Sequence, residues 1–172
     1  MSKNTEENTF TEIYHSIMGD LYVGASSKGL KFIKLLGETD NKPDIHPNVY
    51  TKAAVKQLDM YFNAKLQNFN LDFDLEGHTG FSIEVWQKLV KIPYGTTISY
   101  KQLAIQMGDL KCIRAAASAN GRNPIPIIIP CHRVIGSDGS LTGFALGLEF
   151  KRKLLELENP SKYSKRQGTL EL

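Results

Sequence analysis

Cys131 and His132 stand side by side in Ile129-Pro130-Cys131-His132-Arg133-Val134, at the end of the apolar run Ile125-Pro126-Ile127-Ile128-Ile129. A cysteine reacts as its thiolate, which is only a few per cent populated at neutral pH for a free pKa of about 8.5, so an adjacent base changes what it can do. His132 is the candidate base. Prolines on either side of Ile127-Ile128-Ile129 fix φ and stiffen the approach to the thiol, as a rigidly mounted nucleophile requires. Taken alone, such a pair is more often an inert buried cysteine beside a satisfied histidine. The elements that would hold the pair decide between the two.

The first third reads as an antiparallel sheet followed by a helix. Residues 10–17, 21–26 and 30–36 are strand-like runs separated by Met18-Gly19-Asp20 and Ser27-Lys28-Gly29, whose glycines suit hairpin turns, and a three-stranded meander is the simplest arrangement. Ala54, Leu58, Tyr61 and Phe62 then recur at the spacing of one buried helical face. Phe69, Leu71, Phe73 and Leu75 alternate with Asn70, Asp72 and Asp74, the period of a half-buried strand. A first unit is expected over residues 1–78.

From Phe81 the pattern is helical. Ser82 is read as the N-cap of a helix turning Ile83, Trp86 and Leu89 or Val90 inward, stopped by Pro93 and Gly95. Ser99-Tyr100-Lys101-Gln102 is a capping box opening the next helix, whose apolar face is Leu103, Ala104 and Met107 and whose stop is Gly108. Asp109 caps a third helix over residues 110–119, ended by Asn120-Gly121, and the two short helices make a helix-turn-helix. That third helix carries Arg114, Ala115, Ala116, Ala117, Ser118 and Ala119. It lacks the several long polar side chains expected of a major-groove reader, so it suits either a narrower groove or tight packing on the core. Two glycine-rich turns follow Cys131, then a helix with Leu148, Leu154, Leu155 and Glu158 up to Asn159-Pro160, and residues 161–172 read as a frayed polar tail.

Composition removes several classes of function. The 172 residues allow two small domains, and no apolar run approaches the 18 or so residues of a membrane span. The N-terminus is polar and acidic without an apolar core, which is unlike a secretory signal, so a cytoplasmic protein with free thiols at Cys112 and Cys131 is expected. His15, His46 and His78 are scattered singly, and neither metal nor cofactor is expected. A net charge of +3 permits nucleic-acid binding without demonstrating it.

In their order, Ile98-Ser99-Tyr100, Arg114-Ala115-Ala116, Asn120-Gly121-Arg122-Asn123-Pro124, Ile129 to Val134 and Gly143-Phe144-Ala145 resemble the O6-alkylguanine-DNA alkyltransferases, strongly over about residues 79–158 and in outline before that. The resemblance implies an α+β fold: a ribonuclease H-like N-terminal unit (residues 1–78) and a winged-helix-like C-terminal unit (residues 79–160). It implies a monomer that binds double-stranded DNA, flips out O6-alkylguanine, with O4-alkylthymine a further candidate substrate, and keeps the alkyl group on its own cysteine. On this resemblance Cys131 matches the acceptor, His132 the base acting through a water, Glu158 the carboxylate that orients it, and Tyr100 the donor to O6. Glu156 is the nearby alternative to Glu158. Arg114 matches a finger filling the vacated space beside Ala115, Ala116, Ser118, Ala119 and Arg122 on DNA, and Asn123 a hinge asparagine. Val134, Gly143, Phe144 and Ala145 match the pocket wall. Phe144 stands where many members carry tyrosine, and Leu146 where a smaller residue is frequent, which would disfavour bulky alkyl groups. A non-repairing alkyl-DNA binder, a cysteine hydrolase and a plain helix-turn-helix regulator are the competing readings.

Overall fold

The computed structural model describes residues 9–37, 40 and 43–164. Strands β1 (Phe10–Ser16), β2 (Gly19–Ala25) and β3 (Leu30–Leu35) form the expected antiparallel meander. Gly19 turns the first hairpin with φ +121°, a backbone conformation that calls for glycine. Helix α1 (Val49–Phe62) packs across the sheet. Its start is fixed by a reciprocal bond pair between Asn48 and Thr51, and it buries Ala54, Leu58 and Tyr61 against a core that includes Leu21, Val23 and Ile33.

Residues 69–75 are not a strand of this sheet. The segment runs extended and, among the described residues, its backbone pairs with β3 at Leu30, which donates to the Asp72 carbonyl and accepts from the Asp74 N–H. The alternation that pointed to a strand also misplaced Asp74. Its carboxylate is buried and takes the Ser26 hydroxyl at 2.5 Å, so a charge read as solvent-facing is an internal staple.

The second half is mostly helical: α2 (Gly80–Val90), β4 (Ile98–Ser99), α3 (Tyr100–Gln106), α4 (Ile113–Gly121), β5 (Val134–Ile135), α5 (Leu148–Glu158) and α6 (Pro160–Tyr163). Thr79, not Ser82, caps α2, because its hydroxyl accepts the Ser82 N–H at 3.2 Å while Ser82 itself is buried one turn in. The Ser99–Gln102 box opens α3 as expected. Asp109 caps a single 3-10 turn, Leu110–Cys112, and α4 continues past Asn120 to Gly121. The frayed tail does not begin at Ser161: Asn159 caps α6, which includes residues 161–163, and residues 165–172 lie outside those described.

Two contacts set the frame of the site. β4 and β5 pair in parallel, Ile98 with Val134, which brings the start of α3 and Tyr100 alongside the segment that follows Cys131. The Trp86 indole N–H donates to the Ala119 carbonyl at 2.9 Å and ties α4 to α2. Among the described residues no helix is long and apolar enough to cross a membrane.

Candidate active site

Cys131 opens a 3-10 turn, Cys131–Arg133, at the end of the isoleucine run. That run is a tight turn: the Ile129 N–H reaches the Ile125 carbonyl at 2.9 Å, and Ile127 at its centre has φ +76°. A β-branched residue held there is strained, and buried packing must hold it. Asn123 supplies part of that hold through the Ile129 carbonyl and the Ile125 N–H. The thiol is 2% exposed. Burial pushes it up to about 11, opposed by a hydrogen bond from Asn123 and by the positive charge of Lys151. At rest, sulfur keeps its proton.

His132 is fully buried and its Nε2 lies 2.8 Å from Glu158 Oε1. Burial raises the Glu158 pKa, but the bonds and charges of His132 and Arg133 outweigh it and hold the carboxyl well below the usual range. An ionised carboxylate can only accept, so Nε2 carries the hydrogen and Nδ1 of the neutral ring is left as an acceptor. Nδ1 is buried with no hydrogen-bond partner. Burial also lowers the His132 pKa, against the raising effect of Glu158, so the ring is poised as a neutral base. Glu156 is on the surface with Arg152 at 2.8 Å, which leaves Glu158 as the carboxylate of this cluster.

Three more groups hold the carboxylate. Arg133 donates to Glu158 Oε2 from Nε at 2.9 Å and to Oε1 from its terminal nitrogen at 2.9 Å, and reaches the Ile92 carbonyl at 2.6 Å. Tyr61 donates its hydroxyl to Oε1 at 2.7 Å, and the Gly95 N–H reaches Oε2 at 3.1 Å. Lys151, wholly buried, donates to the carbonyls of Val134 at 2.7 Å and Thr142 at 2.8 Å. Burial lowers its pKa to about 8, partly offset by Cys131. None of Arg133, Tyr61 and Lys151 has a role in the sequence reading. A signal existed for Lys151, which shares the apolar face of α5 with Leu154, Leu155 and Glu158. Tyr61 sat at a core position with a hydroxyl that needs a partner.

The remaining candidates divide. Tyr100 donates to the Thr142 carbonyl at 3.1 Å, and Gly143, φ +48°, would place a Cβ 4.0 Å from the Tyr100 hydroxyl. The Phe144 ring stands edge-on to His132 with centroids 6.3 Å apart. Val134 is buried and Ala145 is exposed. On α4, Arg114, Ala115 and Ser118 are exposed, as is Arg122 just after it, and form one face. Ala116 and Ala119, read as DNA-facing, are fully buried. Their methyl groups let α4 sit close to α2 and α3, so tight packing accounts for half of the alanine pattern and an open face for the other half.

Comparison with known proteins follows the same division of the chain. Residues 10–75 match the model described as 6-O-methylguanine DNA methyltransferase, ribonuclease-like domain, and residues 80–160 match its DNA-binding domain. A methylated-DNA--protein-cysteine methyltransferase of Methanosarcina barkeri is 44% identical over 153 residues, 87% of this chain and 96% of that one. One from Mycobacterium tuberculosis is 43% identical over 147 residues, 83% and 88% of the two chains. Among solved structures, the M. tuberculosis O6-methylguanine methyltransferase superposes with a TM-score of 0.78 at 40% identity, covering 89% of this chain and 94% of its own. The M. tuberculosis OGT in complex with DNA gives 0.76 at 41% identity, covering 88% and 92%. With an α+β fold in two parts and both family models matched in order, the chain belongs to the 6-O-methylguanine DNA methyltransferase family.

Proposed function

We propose that this chain repairs double-stranded DNA by moving the alkyl group of O6-alkylguanine onto its own Cys131, once per molecule, restoring guanine. The observation that carries this reading is a buried thiol next to an imidazole that is tied to a carboxylate at one nitrogen and unpartnered at the other. The names of the relatives and the DNA complex of the M. tuberculosis protein support the same chemistry and DNA as the partner.

In the proposed step His132 Nδ1 takes the thiol proton through a water, while Glu158 stabilises the imidazolium that results. The thiolate sulfur attacks the alkyl carbon in line, the carbon–O6 bond breaks, and its electron pair goes to the guanine. Tyr100 leaves the Thr142 carbonyl to give its proton to the departing guanine and is reprotonated with the proton taken from the thiol, so His132 returns to its neutral form and neutral guanine leaves. Because the product is a thioether, the acceptor is used once. The thiol is buried and O6 of a paired guanine lies inside the duplex, so the nucleotide must be flipped out of the stack into the site at a cost of a few kcal/mol. Arg114 fills the gap, with Ala115, Ser118 and Arg122 on the DNA, and Asn123, Val134, Gly143, Phe144 and Ala145 frame the pocket. The protein works as a cytoplasmic monomer, with residues 79–160 carrying both DNA contact and acceptor and residues 1–78 supporting them.

Incubation with a duplex containing O6-methylguanine is expected to add one methyl mass to the peptide containing Cys131 and to stop there. An unmodified peptide, continued turnover, or repair by Cys131→Ala would overturn the reading. Competition with an O4-methylthymine duplex measures the second substrate.

A further inference from the structure

We propose that Tyr61, on the N-terminal helix α1, is a positioning residue for the transfer reaction, its hydroxyl fixing the Glu158 carboxylate and limiting the charge that carboxylate presents to His132. The inference rests on the His132–Glu158 relay proposed above.

The geometry points to more than packing. Tyr61 is fully buried, and its ring is wedged among Phe62, Phe69 and Tyr94 with centroids 5.4, 5.3 and 6.0 Å away, so its hydroxyl has little freedom. It donates at 2.7 Å to Oε1 of a residue 97 positions away in the chain. That oxygen is the one that receives His132 Nε2 at 2.8 Å. A terminal nitrogen of Arg133 shares it at 2.9 Å. A carboxylate oxygen offers about two lone-pair directions, so donors from three residues compete for one source of charge. Each donor added by Tyr61 and Arg133 lowers what the imidazole receives and keeps its other nitrogen from being protonated too early.

The charged and titratable groups around this cluster come from four places. Glu158 and Lys151 face His132 from α5, and Arg133 faces it from the same turn. Tyr94 feels both Glu158 and Arg133 from the segment after α2. Among the described residues, Tyr61 alone comes from the first unit. Burial, then the charge of Glu158, keeps its phenol protonated, so it acts as a donor throughout the working pH range. The supporting unit thereby contributes a polar group to the relay as well as an apolar surface.

The test follows the rate of methyl transfer from an O6-methylguanine duplex to Cys131 as a function of pH, in the full chain. Tyr61→Phe keeps the ring and removes the hydroxyl. Its acid limb is expected to move up by about half a pH unit, a rate constant about threefold lower on that limb. Replacing Tyr61 by 3-fluorotyrosine, a stronger donor with ring and hydroxyl retained, should move the limb down, and it decides the matter if Tyr61→Phe does not fold. Phe69→Leu loosens the same aromatic cluster without touching the hydroxyl and should lower the melting temperature with the limb unmoved. Profiles that superimpose for both Tyr61 replacements, or a limb that Phe69→Leu moves as far, overturn the proposal. If His132→Ala transfers methyl as fast as the parent, the relay itself fails. A slow His132→Ala with an unshifted Tyr61→Phe sinks only the role given to Tyr61.

Discussion

Asn123 donates from Nδ2 to the carbonyl of Ile129 at 2.7 Å, two residues before the thiol. Its Oδ1 accepts the Ile125 N–H at 3.0 Å, so one amide side chain closes the turn in which Ile127 is held at φ +76°.

Asn123→Ala would leave the Ile125 N–H without its acceptor in a dry interior, at about 1–3 kcal/mol, and would take one of two donors from the Ile129 carbonyl, which keeps the Cys131 N–H at 2.8 Å. A loss of about 1–3 kcal/mol in urea unfolding is expected, with transfer to Cys131 slowed at least about tenfold because the sulfur is no longer held in line. A variant as fast as the parent would mean that the turn is held without this residue.

Acid should destabilise the fold through two groups acting in the same direction. Glu158 has a folded pKa below its unfolded value, so its contribution is complete above about 4.3 and is lost as pH falls toward the folded value. His132 is held neutral by burial, and the unfolded chain gains by protonating it below about 6.5. Urea midpoints should therefore decline from about pH 6.5 downward. Glu158→Gln leaves Arg133 buried without its counter-charge, which is expected to cost about 3–5 kcal/mol near neutrality. Its midpoint should fall less steeply below about pH 4.3, where the parent loses its carboxylate.

Arg114 projects into solvent from α4, so Arg114→Ala should change stability by less than about 0.5 kcal/mol. Transfer from an O6-methylguanine duplex should slow about tenfold or more, while transfer from free O6-methylguanine base stays at the parent rate. Equal slowing on both would place Arg114 in the pocket instead of in the DNA.

Leu146 is partly buried against the core beside Phe144. If it narrows the pocket, Leu146→Gly should raise the rate for O6-benzylguanine over that for O6-methylguanine by about tenfold, the scale of one or two methylenes in a tight apolar site. Equal benzyl and methyl rates in the parent would count against the idea.

Local signals read true where the chemistry is local. Ser99 and Gln102 lie three residues apart and meet as a capping box, and Gly19 sits where a hairpin needs it. The same logic failed where partners are distant. Residues 69–75 have the period of a strand but only Leu30 to pair with, and Asp74 is buried because Ser26, 48 residues away, supplies a hydroxyl. On α4 composition alone could not tell the faces apart, and contact with α2 through Trp86 decides that Ala119 points inward. Cys131 and His132 stand out as an adjacent pair with Arg133 next in the same motif, and Glu158 enters through the resemblance, whereas Tyr61 and Lys151 gather around them only in three dimensions. A tyrosine on an amphipathic helix looks the same in sequence whether its hydroxyl meets water or a carboxylate.

Keeping the Cys131 proton in place also decides what the residue ignores. A protein with one acceptor and no way to regenerate it is lost to any stray electrophile that reaches the sulfur first. With Cys131 2% exposed and its pKa raised to about 11, soluble alkylating agents and oxidants meet little surface and little thiolate. Slow reaction with iodoacetamide in the folded protein, set against rapid reaction in urea, would be the mark of a nucleophile reserved for carbon that arrives on a base.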